Sequence, residues 1–175
     1  MNVVVIGGGG REHAIAYALR KSKSLTNLFC IPGNTGTKVI AENIKIDTKD
    51  HSGLISFCKK NNVELIVVGP EQPLAEGLAD DLRDAGILTF GPGREAAQLE
   101  GSKSFTHQIC DEAGVPAAAY AVFTEEAPAL ACVRDRGAPI VVKADGLAAG
   151  KGVVVAMTVD EALSAVDMMF GGAFG

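Results

Sequence analysis

Short apolar runs alternate with stretches of helical periodicity through the first part of the chain. Residues 2–6 contain three valines and an isoleucine without polar alternation, a pattern typical of a strand buried on both faces of a parallel sheet. Further apolar runs predict strands at residues 28–31, 43–46, 64–68 and 88–90, and spacings of three and four predict helices at residues 11–21, 52–60 and 74–85. This alternation predicts a doubly wound α/β unit.

A second unit follows, in which the order of elements changes. Helical periodicity runs from Arg94 to about Ala113, with Ser102 as a cap partway along and residues 114–116 (GVP) as the end. The pattern then predicts a strand at 120–123, a helix from an N-cap at Thr124 to Arg136, strands at 139–143 and 152–156, and a helix at 159–170 capped by Thr158. This α+β layer is one strand short, so we expect the chain to be a truncated form.

Composition restricts the class of ligand. The chain has 175 residues, 47% of them hydrophobic, and a net charge of -5, which argues against a nucleic-acid partner or an anionic membrane surface. Its 21 glycines gather in loops after apolar runs, a composition typical of α/β nucleotide-binding proteins. Any phosphate is therefore expected to be held by local geometry.

The cysteines and the N-terminus indicate a reduced compartment. Four cysteines lie far apart without a C-x-x-C pair, so we expect buried thiols and neither zinc nor disulfides. Three histidines have no metal-like spacing. The N-terminus has no basic region, and its apolar run is too short for a signal peptide or a membrane span. We therefore expect a cytoplasmic protein.

The first glycine loop, GGGGREH at residues 7–13, lies between a strand and a helix N-terminus. Backbone N–H groups and the helix dipole favour an anion there. A dinucleotide fingerprint fails because Glu12 or His13 stands where the third glycine is required, and no acidic residue follows the second strand. A site for a single phosphate is favoured, and a tight turn without a ligand is the alternative.

The second glycine loop lies within VVKADGLAAGKGVVV, residues 141–155. It is not a Walker loop, because the glycine spacing is one residue short and Gly152 follows Lys151. Two apolar runs joined by a glycine-rich turn favour a hairpin whose main-chain donors fold over a triphosphate, with Lys143 as a fixed charge on the incoming strand. An ordinary hairpin with solvated lysines is the alternative.

Two further loops, residues 69–71 and 91–93, follow strands and are expected on the same rim as the first glycine loop. Glu71 suits hydrogen bonds from a ribose diol, and an acid favoured by a helix dipole is an equally good interpretation. Lys103 taken alone is a solvated helix lysine.

Five ordered motifs together resemble one family: GGGGREHA, PGNTGT, VGPEQPLAEG, FGPGREAAQLEGSKSFT and VVKADGLAAGKGVVVA. They are similar to the glycinamide ribonucleotide synthetases, or phosphoribosylamine glycine ligases, of the ATP-grasp superfamily, and the resemblance covers residues 1–175. It implies an α/β fold: a Rossmann-like parallel-sheet (pre-ATP-grasp) substrate-binding domain at 1–100, a linker helix at 101–117 and an incomplete α+β ATP-grasp subdomain at 118–175. His107 departs from the pattern, since many relatives have lysine there.

The resemblance implies ATP-dependent joining of glycine to 5-phosphoribosylamine through a glycyl phosphate, in the second step of purine synthesis. It implies Mg²⁺ or Mn²⁺, with the metal ligands and most of the glycine site in a part of the family beyond these residues. We therefore expect the 175-residue chain alone to be inactive, and the complete enzyme to be a monomer acting on small molecules. The alternatives are another ATP-grasp ligase of purine synthesis and a nucleotide or sugar-phosphate binding module.

The resemblance also implies site residues, with no catalytic residue or metal ligand among them. Lys103 matches the lysine of the family's SK motif, and Lys143 matches the lysine before the glycine loop. The implied ATP-binding residues are Lys103, Lys143, Asp145, Gly146, Gly150, Lys151 and Gly152. The implied phosphoribosylamine-binding residues are Gly8, Gly9, Gly10, Arg11, Glu12, Asn34 and Glu71.

Overall fold

A parallel sheet forms the centre of the first of two compact units, Met1–Gln98 and Leu99–Gly175, in a computed structural model that describes residues 1–147 and 152–172. The sheet has five strands in the order β3-β2-β1-β4-β5. Its strands are β1 (Asn2–Gly7), β2 (Asn27–Pro32), β3 (Glu42–Asn43), β4 (Leu65–Val68) and β5 (Thr89–Phe90), and each pairs with its neighbours in parallel. The predicted α/β class is confirmed.

Strand β1 lies at the centre of this sheet because both of its faces are apolar. Val4 and Ile6 pack on one face with Leu54 and Leu82, while Val3 and Val5 pack on the other with Ala16. Residues 3–6 are at most 3% exposed. The uninterrupted apolar run therefore forms a strand covered on both faces, as predicted.

Five helices follow the strands: α1 (Gly10–Leu19), α2 (His51–Lys60), α3 (Glu71–Ala75), α4 (Leu78–Asp84) and α5 (Arg94–Gly101). The prediction of a single helix over residues 74–85 is wrong. Gly77 has φ +93° and separates α3 from α4, because this left-handed conformation cannot continue a helix. A Cβ on Gly77 would lie 2.6 Å from Nε of Arg94, so the break also makes room for that side chain.

The second unit contains α6 (Lys103–Ala113), α7 (Glu126–Arg136), β6 (Ile140–Lys143), β7 (Val153–Ala156) and α8 (Val159–Phe170). Strands β6 and β7 are antiparallel, with Val141 opposite Val155 and Lys143 opposite Val153. One face of this strand pair packs on α7 and α8. The small core between them consists of Ala129, Val133, Ala156, Ala162 and Val166.

Two helix caps of this unit are confirmed, and two predictions are wrong. Ser102 caps α6, and Thr158 forms a capping box with Glu161 on α8. The N-cap of α7 is Glu125 and not Thr124. Residues 120–123 form no strand: Tyr120 stacks on His107 of α6 at 4.2 Å between ring centroids and donates to Asp111 at 2.9 Å. These helix contacts outweigh the intrinsic strand preference of the segment.

Burial differs among the four cysteines. Cys30 and Cys58 are buried as predicted, and burial raises the pKa of Cys58 to about 11. Cys110 and Cys132 are only half-buried. Within residues 1–147 and 152–172, every helix is too short or too polar to cross a membrane.

Candidate functional site

Three loops meet at the carboxyl edge of the parallel sheet in the first unit. One joins β1 to α1, one follows β2, and one joins β4 to α3. Because β2 and β4 are the two neighbours of β1, their loops flank the glycine loop on both sides. This edge brings together Gly8, Gly9, Gly10, Arg11, Glu12, Asn34 and Glu71, the residues that sequence analysis assigned to phosphoribosylamine.

Glu12 is a buried acid at this edge, with 3% of its surface exposed. Its Oε2 accepts a hydrogen bond from the Gly9 N–H at 2.7 Å, and its Oε1 accepts one from Nε of Arg11 at 3.0 Å. A Cβ on Gly7 would lie 2.6 Å from Cγ of Glu12, and one on Gly69 would lie 2.5 Å from the same atom. Gly7, Gly9 and Gly69 thus give room to a carboxylate of the protein itself, a role that the sequence pattern did not indicate.

Arg11 lies between two carboxylates. Its Nη2 donates to Glu71 at 3.1 Å in addition to the bond from Nε to Glu12. The pKa of the guanidinium is raised, mainly by its hydrogen bond to Glu12 and next by its hydrogen bond to Glu71. The pKa of Glu71 is lowered, first by its own backbone N–H and then by Arg11. The Arg11 side chain is 57% exposed, so its other N–H groups face solvent and can receive an anion.

The first turn of α1 has donors free for a ligand. Among the described residues, the N–H groups of Gly10, Arg11 and Glu12 have no acceptor, as expected for the start of a helix. The Gly9 N–H is already used by Glu12. A phosphate at this edge would therefore bind the next backbone N–H groups along the chain.

Asn34 fixes the loop after β2 against the glycine loop. Its Nδ2 donates to the Gly8 carbonyl at 2.9 Å, and its Oδ1 accepts from the Thr37 N–H at 2.9 Å. The fully buried Thr37 accepts from the Asn34 N–H at 2.7 Å, and Nδ2 of the half-buried Asn43 of β3 donates to the Asn34 carbonyl at 2.7 Å. Thr37 and Asn43 were not predicted from the sequence, although the N-x-x-T spacing at 34–37 is a signal for this type of turn.

The second unit has its own polar cluster at the start of α6. The Asp145 carboxylate accepts from the Lys103 N–H at 2.6 Å, from the Ser102 hydroxyl at 3.0 Å and from the Gly146 N–H at 3.0 Å, and it also accepts from Ser104. Nζ of Lys103 donates to the Gly146 carbonyl at 2.8 Å. The structure therefore brings Lys103 to Asp145 and Gly146, which lie more than 40 positions later in the sequence.

The pKa of Asp145 reflects these contacts. Burial on its own raises the pKa, but hydrogen bonds from the Ser104 hydroxyl, the Lys103 N–H, the Ser102 hydroxyl and the Gly146 N–H outweigh it. Their balance lowers the pKa to about 2. The side chain is therefore a carboxylate at any physiological pH and suits the positive end of the helix dipole.

Two further ATP-assigned residues, Lys143 and Gly152, lie on or beside the β6–β7 pair. Lys143 shares the outer face of the pair with Val141, Val153 and Val155, which are 46%, 44% and 65% exposed. The carbonyl of Gly152 accepts from the Ala144 N–H at 2.9 Å, which extends the pairing by one residue past the end of β6 and before the start of β7. Gly150 and Lys151 lie outside the described residues.

Both halves of the chain match known family models. Residues 1–100 match the N domain of phosphoribosylglycinamide synthetase, and residues 101–175 match its ATP-grasp (A) domain. A phosphoribosylamine--glycine ligase of Brucella melitensis is 56% identical over all 175 residues, which span 41% of that relative's length. The chain thus covers less than half of the curated relative it matches.

Solved structures agree with this assignment. The crystal structure of phosphoribosylamine--glycine ligase from Thermotoga maritima has a TM-score of 0.77 and 29% identity, and the match covers 99% of this chain and 41% of that one. The biotin carboxylase domain of the 2-oxoglutarate carboxylase of Hydrogenobacter thermophilus, at 20% identity and a TM-score of 0.74 over 99% of this chain and 42% of that one, shares the fold. The resemblance carried by the five motifs is confirmed, and the chain belongs to the phosphoribosylglycinamide synthetase family.

Proposed function

We propose that these residues form the substrate-binding domain and part of the ATP-binding domain of a ligase that joins glycine to 5-phosphoribosylamine. The products are glycinamide ribonucleotide, ADP and phosphate. One observation carries the proposal: residues 1–100 and 101–175 match two successive domains of one family, and each contains a polar cluster built from that family's motifs.

The edge of the first unit suits phosphoribosylamine chemically. The substrate has a phosphate dianion, ribose hydroxyls and a nucleophilic amine. The N–H groups of Gly10 and Arg11 at the start of α1, together with the exposed guanidinium, match the phosphate. Glu71 is 41% exposed and accepts hydrogen bonds from hydroxyl groups readily. Glu12 and Asn34 support this site through hydrogen bonds to the glycine loop, at Gly9 and Gly8 respectively.

The outer face of the β6–β7 hairpin suits a nucleotide. Val141, Val153 and Val155 offer an exposed apolar surface for a purine ring, and Lys143 on the same face offers a charge for phosphate. Lys103 provides a second ammonium group, held beside the Gly146 carbonyl. An apolar surface with a charge at one end is the arrangement that a base joined to phosphates requires.

The proposed reaction has two steps. A carboxylate oxygen of glycine attacks the γ-phosphorus of ATP. The bond between that phosphorus and the bridging oxygen breaks, and ADP leaves with the bridging oxygen and its electron pair. The amine of phosphoribosylamine then attacks the acyl phosphate carbon, loses a proton, and displaces inorganic phosphate. In both steps Lys103 and Lys143 would bind and orient phosphate oxygens as charge moves onto them.

The metal requirement belongs to the complete enzyme. Mg²⁺ or Mn²⁺ is expected from the family, but no group of three or more ligating side chains in residues 1–147 and 152–172 could hold such an ion. We propose, from the family resemblance, that the metal ligands and most of the glycine site lie in the portion of the relatives that the match leaves uncovered. The complete enzyme is proposed to be a cytoplasmic monomer, and the 175-residue chain alone is proposed to be inactive.

A chimera tests this function. Residues 1–175 are joined to the remaining part of the Brucella melitensis relative, and ADP release is followed with glycine and phosphoribosylamine, each omitted in turn. We expect turnover that requires both substrates, and none from the 175-residue chain alone. The natural relative serves as the positive control.

Two results would contradict the proposal. A folded chimera that binds ribose 5-phosphate in calorimetry but releases no ADP would favour a binding module. Turnover with an amine other than phosphoribosylamine would favour a different ligase of the same superfamily.

A further inference from the structure

Asp145 has its hydrogen-bonding capacity filled by the protein. Oδ1 accepts from the N–H groups of Lys103 and Gly146 at 2.6 and 3.0 Å, and Ser104 contributes a longer N–H contact at 3.4 Å. Oδ2 accepts from the hydroxyls of Ser102 and Ser104. A carboxylate has about four lone-pair positions, and five donors surround this one.

These contacts connect two distant segments of the second unit. Asp145 follows β6 by two residues, and Ser102 and Lys103 begin α6, more than 40 positions earlier in the chain. The carboxylate takes up N–H groups that the first turn of α6 would otherwise leave unpaired. It thereby fixes the end of the strand that carries Lys143 against the start of the helix that carries Lys103.

The connection also sets the position of the Lys103 ammonium group. Nζ donates to the Gly146 carbonyl at 2.8 Å, and the N–H of the same residue donates to Asp145 at 3.0 Å. An ammonium group has three N–H donors, so two are left for an anion. Lys103 is therefore held by Gly146, which is held in turn by Asp145.

We propose that Asp145 is a positioning residue for ATP, acting through α6 and Lys103 and not by contact with the nucleotide. This inference rests on the proposed function. The geometry carries it, since a carboxylate already surrounded by donors has no free oxygen to offer a metal ion or a ribose. Its ionised state at neutral pH agrees with the role.

The first experiment uses the chimera with Asp145→Asn, which keeps the shape of the side chain but removes its charge. We expect the apparent KM for ATP to rise about tenfold, since charge-assisted hydrogen bonds are lost, and the KM for phosphoribosylamine to stay unchanged. Asp135→Asn is the matched control, an exposed aspartate of α7 in the same unit. An unchanged KM for ATP would overturn the proposal.

A double-mutant cycle separates positioning from direct contact. Ser104→Ala alone should raise the KM for ATP about threefold, and adding it to Asp145→Asn should change little, because both act through one connection. Ser164→Ala on α8 is the control. Independent effects that multiply, or an effect of Asp145→Asn with no effect of Ser104→Ala, would mean that Asp145 contacts ATP itself.

A readout without turnover keeps this inference apart from the proposed function. In the 175-residue chain, the Lys103 amide hydrogen should exchange with solvent at least about tenfold faster in Asp145→Asn than in the wild type. Unchanged protection would overturn the proposal even if the chimera proved inactive. Faster exchange with a normal KM for ATP would overturn it as well, since the connection would then have no effect on the nucleotide.

Discussion

A Cβ atom on Gly69 would lie 2.5 Å from Cγ of Glu12 and 2.7 Å from its Cδ, so the loop after β4 packs directly on a carboxylate carried by α1. Gly7 approaches the same side chain from β1. The glycines of this edge therefore surround a buried acid, and the acid in turn orients Arg11 toward Glu71.

Gly69→Ala should destabilise the first unit. Three atoms of Glu12 lie within 2.7 Å of the new methyl group, so the buried side chain cannot avoid it by moving its end alone. We expect a loss of about 1–3 kcal/mol in the free energy of unfolding, measured by urea denaturation. Gly10→Ala is the control, since among the described residues nothing lies within 4 Å of the methyl group that this substitution adds. Equal stability of the two variants would contradict the packing role.

Arg11→Lys should weaken sugar-phosphate binding with little effect on folding. A lysine keeps the charge but cannot bridge Glu12 and Glu71 with a planar fork. Calorimetry with ribose 5-phosphate should show about a tenfold loss of affinity. The free energy of unfolding should change by less than about 1 kcal/mol, because lysine keeps a positive charge beside Glu12 and the pair with Glu71 is exposed. Arg20→Lys, exposed at the end of α1, should bind normally. Normal binding by Arg11→Lys would exclude the guanidinium from the phosphate site.

The second unit should lose stability in acid through Asp145. The pKa is about 2 in the folded chain against an ordinary value of 3.8, so the unfolded chain takes up the proton first as the pH falls. The stabilisation is complete above about pH 4 and disappears toward pH 2. Hydrogen exchange of α8 amides should show this loss in the wild type.

The Asp145→Asn variant is the comparison for the acid experiment. It should be less stable than the wild type near neutral pH and should lack the part of the acid-induced loss that belongs to this carboxyl. Parallel pH curves for the two proteins would show that Asp145 does not contribute.

Lys143→Ala in the chimera should raise the apparent KM for ATP or lower turnover strongly. Loss of one well-placed phosphate donor costs about 2–4 kcal/mol in comparable sites. Lys23→Ala, an exposed lysine of the first unit, is the control. An unchanged rate and ATP dependence would remove Lys143 from the site.

The elements with strong local signals could be predicted from the sequence. Strand β1 is a continuous apolar run, and the caps at Ser102 and Thr158 have the residue types that free N–H groups require. The break at Gly77 could not, because apolar spacing continues across it and the reason for it is the Arg94 side chain, far along the chain.

The roles of the acidic residues were harder to predict than their places. The motif placed Glu12 at the correct edge, but its burial depends on Gly69 of another strand loop. The connection between Asp145 and α6 joins segments that no local pattern relates. Such contacts depend on tertiary structure, so the sequence could indicate the site but not how its parts hold one another.

The central position of β1 has a consequence for how the chain folds. Strand β1 precedes both of its partners in the chain: it pairs with β2 and with β4, and Val3 lies opposite Leu65. One side of β1 therefore has no partner until residues 65–68 have been made. Pairings so distant in sequence slow folding, and an apolar strand edge left open in the meantime attracts other chains. The helix α1 can cover one face of that strand but not its edge, so the edge stays open until β4 has been made.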